Sequence, residues 1–170
     1  MKRFLRKTKK RLRSEKGNLM IEAVVGLTLI TVGMLGVFSL ISSSLKTSQE
    51  VGNRFIAANL AAEGVEVVKN IIDTNVAQRR SFNAGISSGD YMINYDSTSL
   101  NSLSDSYLYL DNNGTYSHSS GSETVFRRVI SVTDRAGGSQ SYIGVNSKVI
   151  WSEAGDVKEV SIEDRFYEWR

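Results

Sequence analysis

The chain contains no cysteine and no proline among its 170 residues, and a single histidine. Without cysteine there is no disulfide, no thiolate nucleophile and no Cys-ligated metal, so the folded part is held by packing and hydrogen bonds alone. Without proline, a long helix has lost its commonest cause of a kink. Charge is also missing over a long stretch: Ala23–Ile41 is 19 residues without Asp, Glu, Lys or Arg. Positive charge is confined in a similar way. Residues 1–17 hold nine Lys/Arg against one acid, a net charge of +8, while the remainder holds 12 against 17, a net charge of −5. The alkaline pI of 9.2 therefore belongs to the first 17 residues. A negatively charged remainder argues against nucleic acid as a partner, since backbone binding needs basic charge on the folded domain.

Nineteen uncharged residues are about the length that spans a hydrocarbon core as a helix. The upstream positive cluster places residues 1–17 in the cytoplasm and the C-terminus outside. Three readings fit this hydropathy. A cleaved secretory signal has a shorter apolar core, ended by a small-x-small site such as Ser42-x-Ser44. A plain single-pass anchor would hold an external binding domain at the membrane. Neither explains Glu22, which sits within the apolar segment Leu19-Met20-Ile21-Glu22-Ala23-Val24-Val25. A carboxylate at the centre of a membrane helix costs roughly 2.5–3.5 kcal/mol, and less towards an interface.

The third reading accounts for that residue. The basic run, the Gly17/Asn18 junction, Glu22 and the uninterrupted apolar segment together resemble the prepilin signal of the type IV pilin superfamily. The resemblance implies that a prepilin peptidase with a cytoplasmic active site cleaves after Gly17 and methylates the new amino terminus at Asn18. It also implies that Glu22 pairs with the amino terminus of a neighbouring subunit as the helix enters a fibre. Asn18 stands where the family usually has Phe, which puts its methylation in doubt. Leu60–Ile71 and the closing pattern Val149-Ile150-Trp151, Gly155 and Tyr167-Glu168-Trp169-Arg170 look like minor pilins of the pilus-modification type and minor pseudopilins of type II secretion.

The expected architecture is α+β, a long N-terminal helix packed on a C-terminal antiparallel sheet. Its parts are a leader (1–17), a transmembrane or fibre-core helix (18–42, apolar over 19–41), an amphipathic continuation (43–75), a loop (76–90) and a sheet head (91–170). In the continuation, Val51, Phe55, Ala58, Ala62, Val65, Val68 and Ile72 recur at three- and four-residue steps, widened by Ile56, Leu60, Val67 and Ile71. Alternation predicts strands at 91–95, 107–110, 124–133, 142–151 and 157–166, with one inward face made of Phe126, Ile130, Val132, Ile143, Val145, Val149, Trp151, Val160, Ile162 and Phe166. Asp111-Asn112-Asn113-Gly114 lacks the spaced ligands of a calcium loop and reads as a turn.

Catalysis has little to work with. His118 lies in a Ser/Gly loop and reads as exposed, and there is no HExxH or phosphate-cradling glycine motif. Arg127, Arg128, Arg135 and Lys148 form a candidate basic patch on strand residues. No cofactor or metal is expected. The sequence thus points away from an enzyme and towards a structural subunit, a minor pilin of a type IV pilus. Its partners would be prepilin peptidase, other pilin subunits, the cytoplasmic membrane and a pilus assembly platform. The alternatives are a minor pseudopilin of a secretion or DNA-uptake system, or the plain anchored ectodomain.

Overall fold

Nothing in the sequence interrupts the first helix, and none of its length is lost to a kink residue: α1 runs Leu5–Ala77. The computed structural model describes residues 5–104, 106–135 and 141–168, with side chains from residue 17 onwards. The leader side chains before Gly17, and Trp169-Arg170 of the closing pattern, lie outside the described residues. The chain divides into two units, residues 1–49 and 50–170. The first is helix throughout its described length. The second holds the end of α1 and seven strands: β1 (Gly89–Met92), β2 (Asn101–Ser102), β3 (Tyr107–Leu110), β4 (Tyr116–Ser117), β5 (Ser122–Arg135), β6 (Tyr142–Glu153) and β7 (Asp156–Tyr167). The fold is α+β.

All strand pairs are antiparallel. One edge of β5 pairs with β6, which pairs with β7. Its other edge is shared, β1 lying against Ile130–Val132 and β3 against Ser122–Arg127. β2 and β4 lie outside those two. The β6–β7 turn is Ala154-Gly155, with φ of 52° and 90°. Positive φ at both central residues makes it a type I′ turn, whose twist matches that of the flanking strands. The short β2, with no alternation to mark it, was not expected from the sequence.

The inward face follows the predicted alternation. Phe126, Ile130, Val132, Ile143, Val145, Val149 and Trp151 are buried. Each contributes roughly 1.5–3 kcal/mol by leaving water. The helix face requires a correction. Val65, Val68 and Ile72 are buried, but Val51 and Phe55 are 62% and 67% exposed and Ala62 is exposed too. Leu60, Val67 and Ile71 of the widened stripe are buried as expected, and the buried face extends beyond it to Ala57, Ala61, Gly64 and Asn75. Small residues win because they let the helix approach. A Cβ on Gly64 would come within 2.5 Å of Ser147 Oγ and 2.6 Å of Ile130 Cδ1.

Two polar residues stitch the core. Asn75 closes the helix end by donating from Nδ2 to Ala84 O at 2.8 Å. Beyond it, Arg80 N bonds Asn75 O, and Arg79 takes φ 56°, a Schellman-type end without the usual glycine. Arg128, fully buried, is the other. Its Nη1 donates to Leu60 O (3.0 Å) and Glu63 Oε1 (2.8 Å), and its Nη2 to Ile93 O (2.7 Å). One guanidinium thus ties the sheet to the helix and to the segment after β1. Arg128 is therefore not part of an exposed basic patch. It lies in phase with Phe126 and Ile130 on the face towards the helix.

Arg128→Ala should lower the unfolding free energy by about 3–5 kcal/mol, because two backbone carbonyls and Glu63 lose their donor in a dry site; denaturant titration of the detergent-solubilised protein measures it. Ser147 Oγ is buried with no hydrogen-bond partner among the described residues. Ser147→Ala is accordingly expected to be neutral or stabilising by about 1 kcal/mol. Gly64→Ala should destabilise by about 1–3 kcal/mol despite its better helix propensity. Thermal melts of the two variants should move apart, and a Gly64→Ala protein as stable as the parent would disprove the close approach.

Candidate functional site

Gly17, Asn18 and Glu22 lie on α1 in the first unit, and all three are exposed. Helical geometry sets Glu22 nearly one turn beyond Asn18, with an axial rise of about 6 Å. The structure therefore places the three residues close along one helix. It also corrects one simple explanation of Gly17, that it marks where the helix begins, because α1 starts at Leu5 and passes through it.

Why a glycine stands here is a local question with a clear answer. A Cβ at Gly17 would meet nothing within 4 Å. Its own chain therefore imposes no demand for a missing side chain. What glycine does do is weaken the helix, by about 1 kcal/mol relative to alanine. The same holds among the described residues for Gly26, Gly33, Gly36 and Gly52 of this helix.

Downstream, the helix is built for an apolar solvent. The large side chains from Leu19 to Leu45 are half to three-quarters exposed, ranging from 50% at Ile41 to 73% at Met20. A single helix here is long and apolar enough to cross a membrane. The two threonine hydroxyls of the uncharged run are satisfied from within. Thr28 Oγ1 donates to Val25 O and Thr31 Oγ1 to Leu27 O, both at 2.8 Å. In lipid those bonds remove the cost of unsatisfied polar atoms. Glu22 is the exception: an ionisable group at the head of a segment whose neighbours Ile21, Val24 and Val25 are exposed and apolar. A helix N-terminus favours a carboxylate through its dipole, and cleavage before Asn18 would create such a terminus together with an ammonium group.

The head offers less chemistry. Among the described residues no group of three His, Asp or Glu is placed to hold a metal. His118 is half-buried rather than exposed: its Nδ1 lies 2.9 Å from Tyr107 O, and its backbone N donates to Asn94 Oδ1. Asp111 Oδ1 accepts from Asn113 N and Thr115 N, fixing the β3–β4 turn as a turn. On the face away from the helix, Lys148 and Arg165 are opposed by Glu159 and Glu163. The hydrogen bond to Glu163, and then the charge of the Tyr142 phenol group, raise the Arg165 pKa above its ordinary value, and its guanidinium lies 5.6 Å from the Tyr142 ring centre. Arg127 lies over the Tyr107 ring, 5.1 Å from its centre. Lys148 and Arg165 thus have acidic neighbours and Arg127 has a ring contact, while Arg135, at the end of β5, is exposed. The one functional-looking charge that sequence reasoning misassigned is Arg128, although strand parity alone places it inward.

Comparison of the chain with protein-family models, with curated proteins and with solved structures found no match.

Proposed function

We propose that this protein is a fibre subunit of the pilin kind: a precursor cleaved after Gly17 by a prepilin peptidase and assembled through its N-terminal helix as a minor pilin. The observation that carries the reading is the position of Glu22. A carboxylate exposed within an otherwise apolar helix disfavours lipid, yet it lies one turn from the ammonium that cleavage would expose. In the precursor that carboxylate has no charged partner within the segment. In a fibre it pairs with the amino terminus of a neighbouring subunit, and both charges leave lipid together. Such a pair sets register more than it adds net stability, because desolvation offsets much of the attraction.

Further support comes from the architecture, a long apolar helix followed by an antiparallel sheet. The exposed flank formed by Val51, Phe55 and Ala62 leaves apolar surface for contact with a neighbouring subunit. The basic leader holds the cleavage point on the cytoplasmic side, and the head is delivered outside.

Co-expression with a prepilin peptidase, followed by N-terminal sequencing of the membrane fraction, should give a chain that starts at Asn18. Gly17→Ala should leave the precursor uncut, since it both strengthens the helix and adds a side chain at the scissile position. Retention of Met1 by the parent chain under these conditions would reject the fibre reading in favour of a plain anchor. Glu22→Ala should be cut and inserted normally while its recovery in sheared fibres falls at least about tenfold, the scale of a lost charge pair in a dry site.

A further inference from the structure

Among the described residues β7 pairs only with β6, which leaves a 12-residue strand with one open edge. We propose that this edge is a self-association surface, on which β7 of a second copy pairs antiparallel about a two-fold axis at Ile162.

The argument begins at the turn. In a two-residue hairpin the flanking residues, here Glu153 and Asp156, form the hydrogen-bonded pair. Even-numbered residues of β7 therefore bond β6, and odd-numbered residues direct their N–H and C=O groups to the open edge. A second β7 can bond there only in registers that set odd residues opposite odd residues. Those registers are separable by charge.

Centred on Ile162, the pairing sets Glu159 opposite Arg165 twice, once on each side of the axis. It also sets Val157 opposite Tyr167 twice. These two are among the head's exposed large hydrophobics, at 71% and 40%. Ser161 falls opposite Glu163, and on the other face Ile162 meets its own counterpart. Less favourable neighbours, Val160 beside Asp164 and Lys158 beside Phe166, lie on that second face. Moving the centre by one residue loses the match. At Ser161 it sets Glu159 against Glu163, and at Glu163 it sets that residue against itself. One register thus satisfies both the charges and the exposed apolar pair, and opposite-charge cross-strand pairs stabilise a ladder where like charges weaken it.

The axis stands normal to the sheet. The helix segments packed on the two sheets consequently run in opposite directions, so this contact joins copies arriving from opposite directions rather than side-by-side neighbours. It is independent of cleavage after Gly17 and of Glu22.

The test uses the full-length protein in detergent micelles, where copies are free to orient, with sedimentation over a range of concentrations. The parent should dimerise, and the dimer should weaken as salt is raised. Glu159→Arg and Arg165→Glu, each altering both symmetric pairs, should each weaken it about tenfold. The double variant Glu159→Arg with Arg165→Glu should return it to near the parent value, because the pairs are restored in reversed order. Both side chains are exposed, and a thermal melt of each variant checks that the head is intact. A protein still monomeric at about 100 µM, a dimer indifferent to the single reversals, or a double variant no better than the singles would each overturn the proposal.

Discussion

The head depends on one buried cation. Arg128 takes a position that strand alternation reserves for an apolar side chain and uses it to bond a helix carbonyl, a helix carboxylate and the carbonyl of Ile93. Burying a guanidinium is costly unless its donors are satisfied. Here the acceptors come from two separate stretches of chain, α1 and the segment after β1, and both must be in place together, while Nε finds no partner among the described residues. The same geometry positions Gly64 over Ser147, because a helix held by Leu60 and Glu63 lies too close to the sheet for any side chain at residue 64. The polar tie and the missing methyl are two parts of one constraint on helix–sheet distance. The small line of Ala57, Ala61 and Gly64 follows from it, as does the exposure of Val51 and Phe55.

Much of this was legible in the sequence. The uncharged run from Ala23 to Ile41 and the absence of proline predict a long helix, and period-two patterns mark β5, β6 and β7 to within a few residues. The hairpin at Ala154-Gly155 shows in the glycine and in the alternation on both sides. The failures have physical causes. The expected helix stripe ran too far to one side: Leu60, Val65, Val67, Val68, Ile71 and Ile72 are buried, but close packing on the sheet also buries Ala57, Ala61 and Gly64 in place of Val51, Phe55 and Ala62. Arg128 was assigned to solvent by its charge, although its parity with Phe126 and Ile130 pointed inward. The helix end was set too early because Arg79 adopts the left-handed conformation that glycine usually supplies. Hydrogen-bond partners from distant segments, such as Asn94 for His118, leave no local trace in composition.

The N-terminal site has a different character. Among the described residues nothing accounts for Gly17 or Glu22: one has empty space around it and the other has apolar neighbours. Residues that fit their own fold poorly are expected where a second molecule completes the environment. This separates them from Gly64, whose lack of a side chain is fully explained by two contacts inside the head.

The turn at Ala154-Gly155 has a consequence beyond joining two strands. With only two residues between Glu153 and Asp156, it fixes the phase of the last strand, deciding which of its side chains look towards the helix and which amides remain unspent at the rim. Ala154 holds a left-handed backbone that costs a non-glycine residue roughly 1 kcal/mol, so the phase is kept at some local expense. A single inserted residue at this point would exchange inside for outside along the whole length of β7, making two residues the frame-setter for twelve.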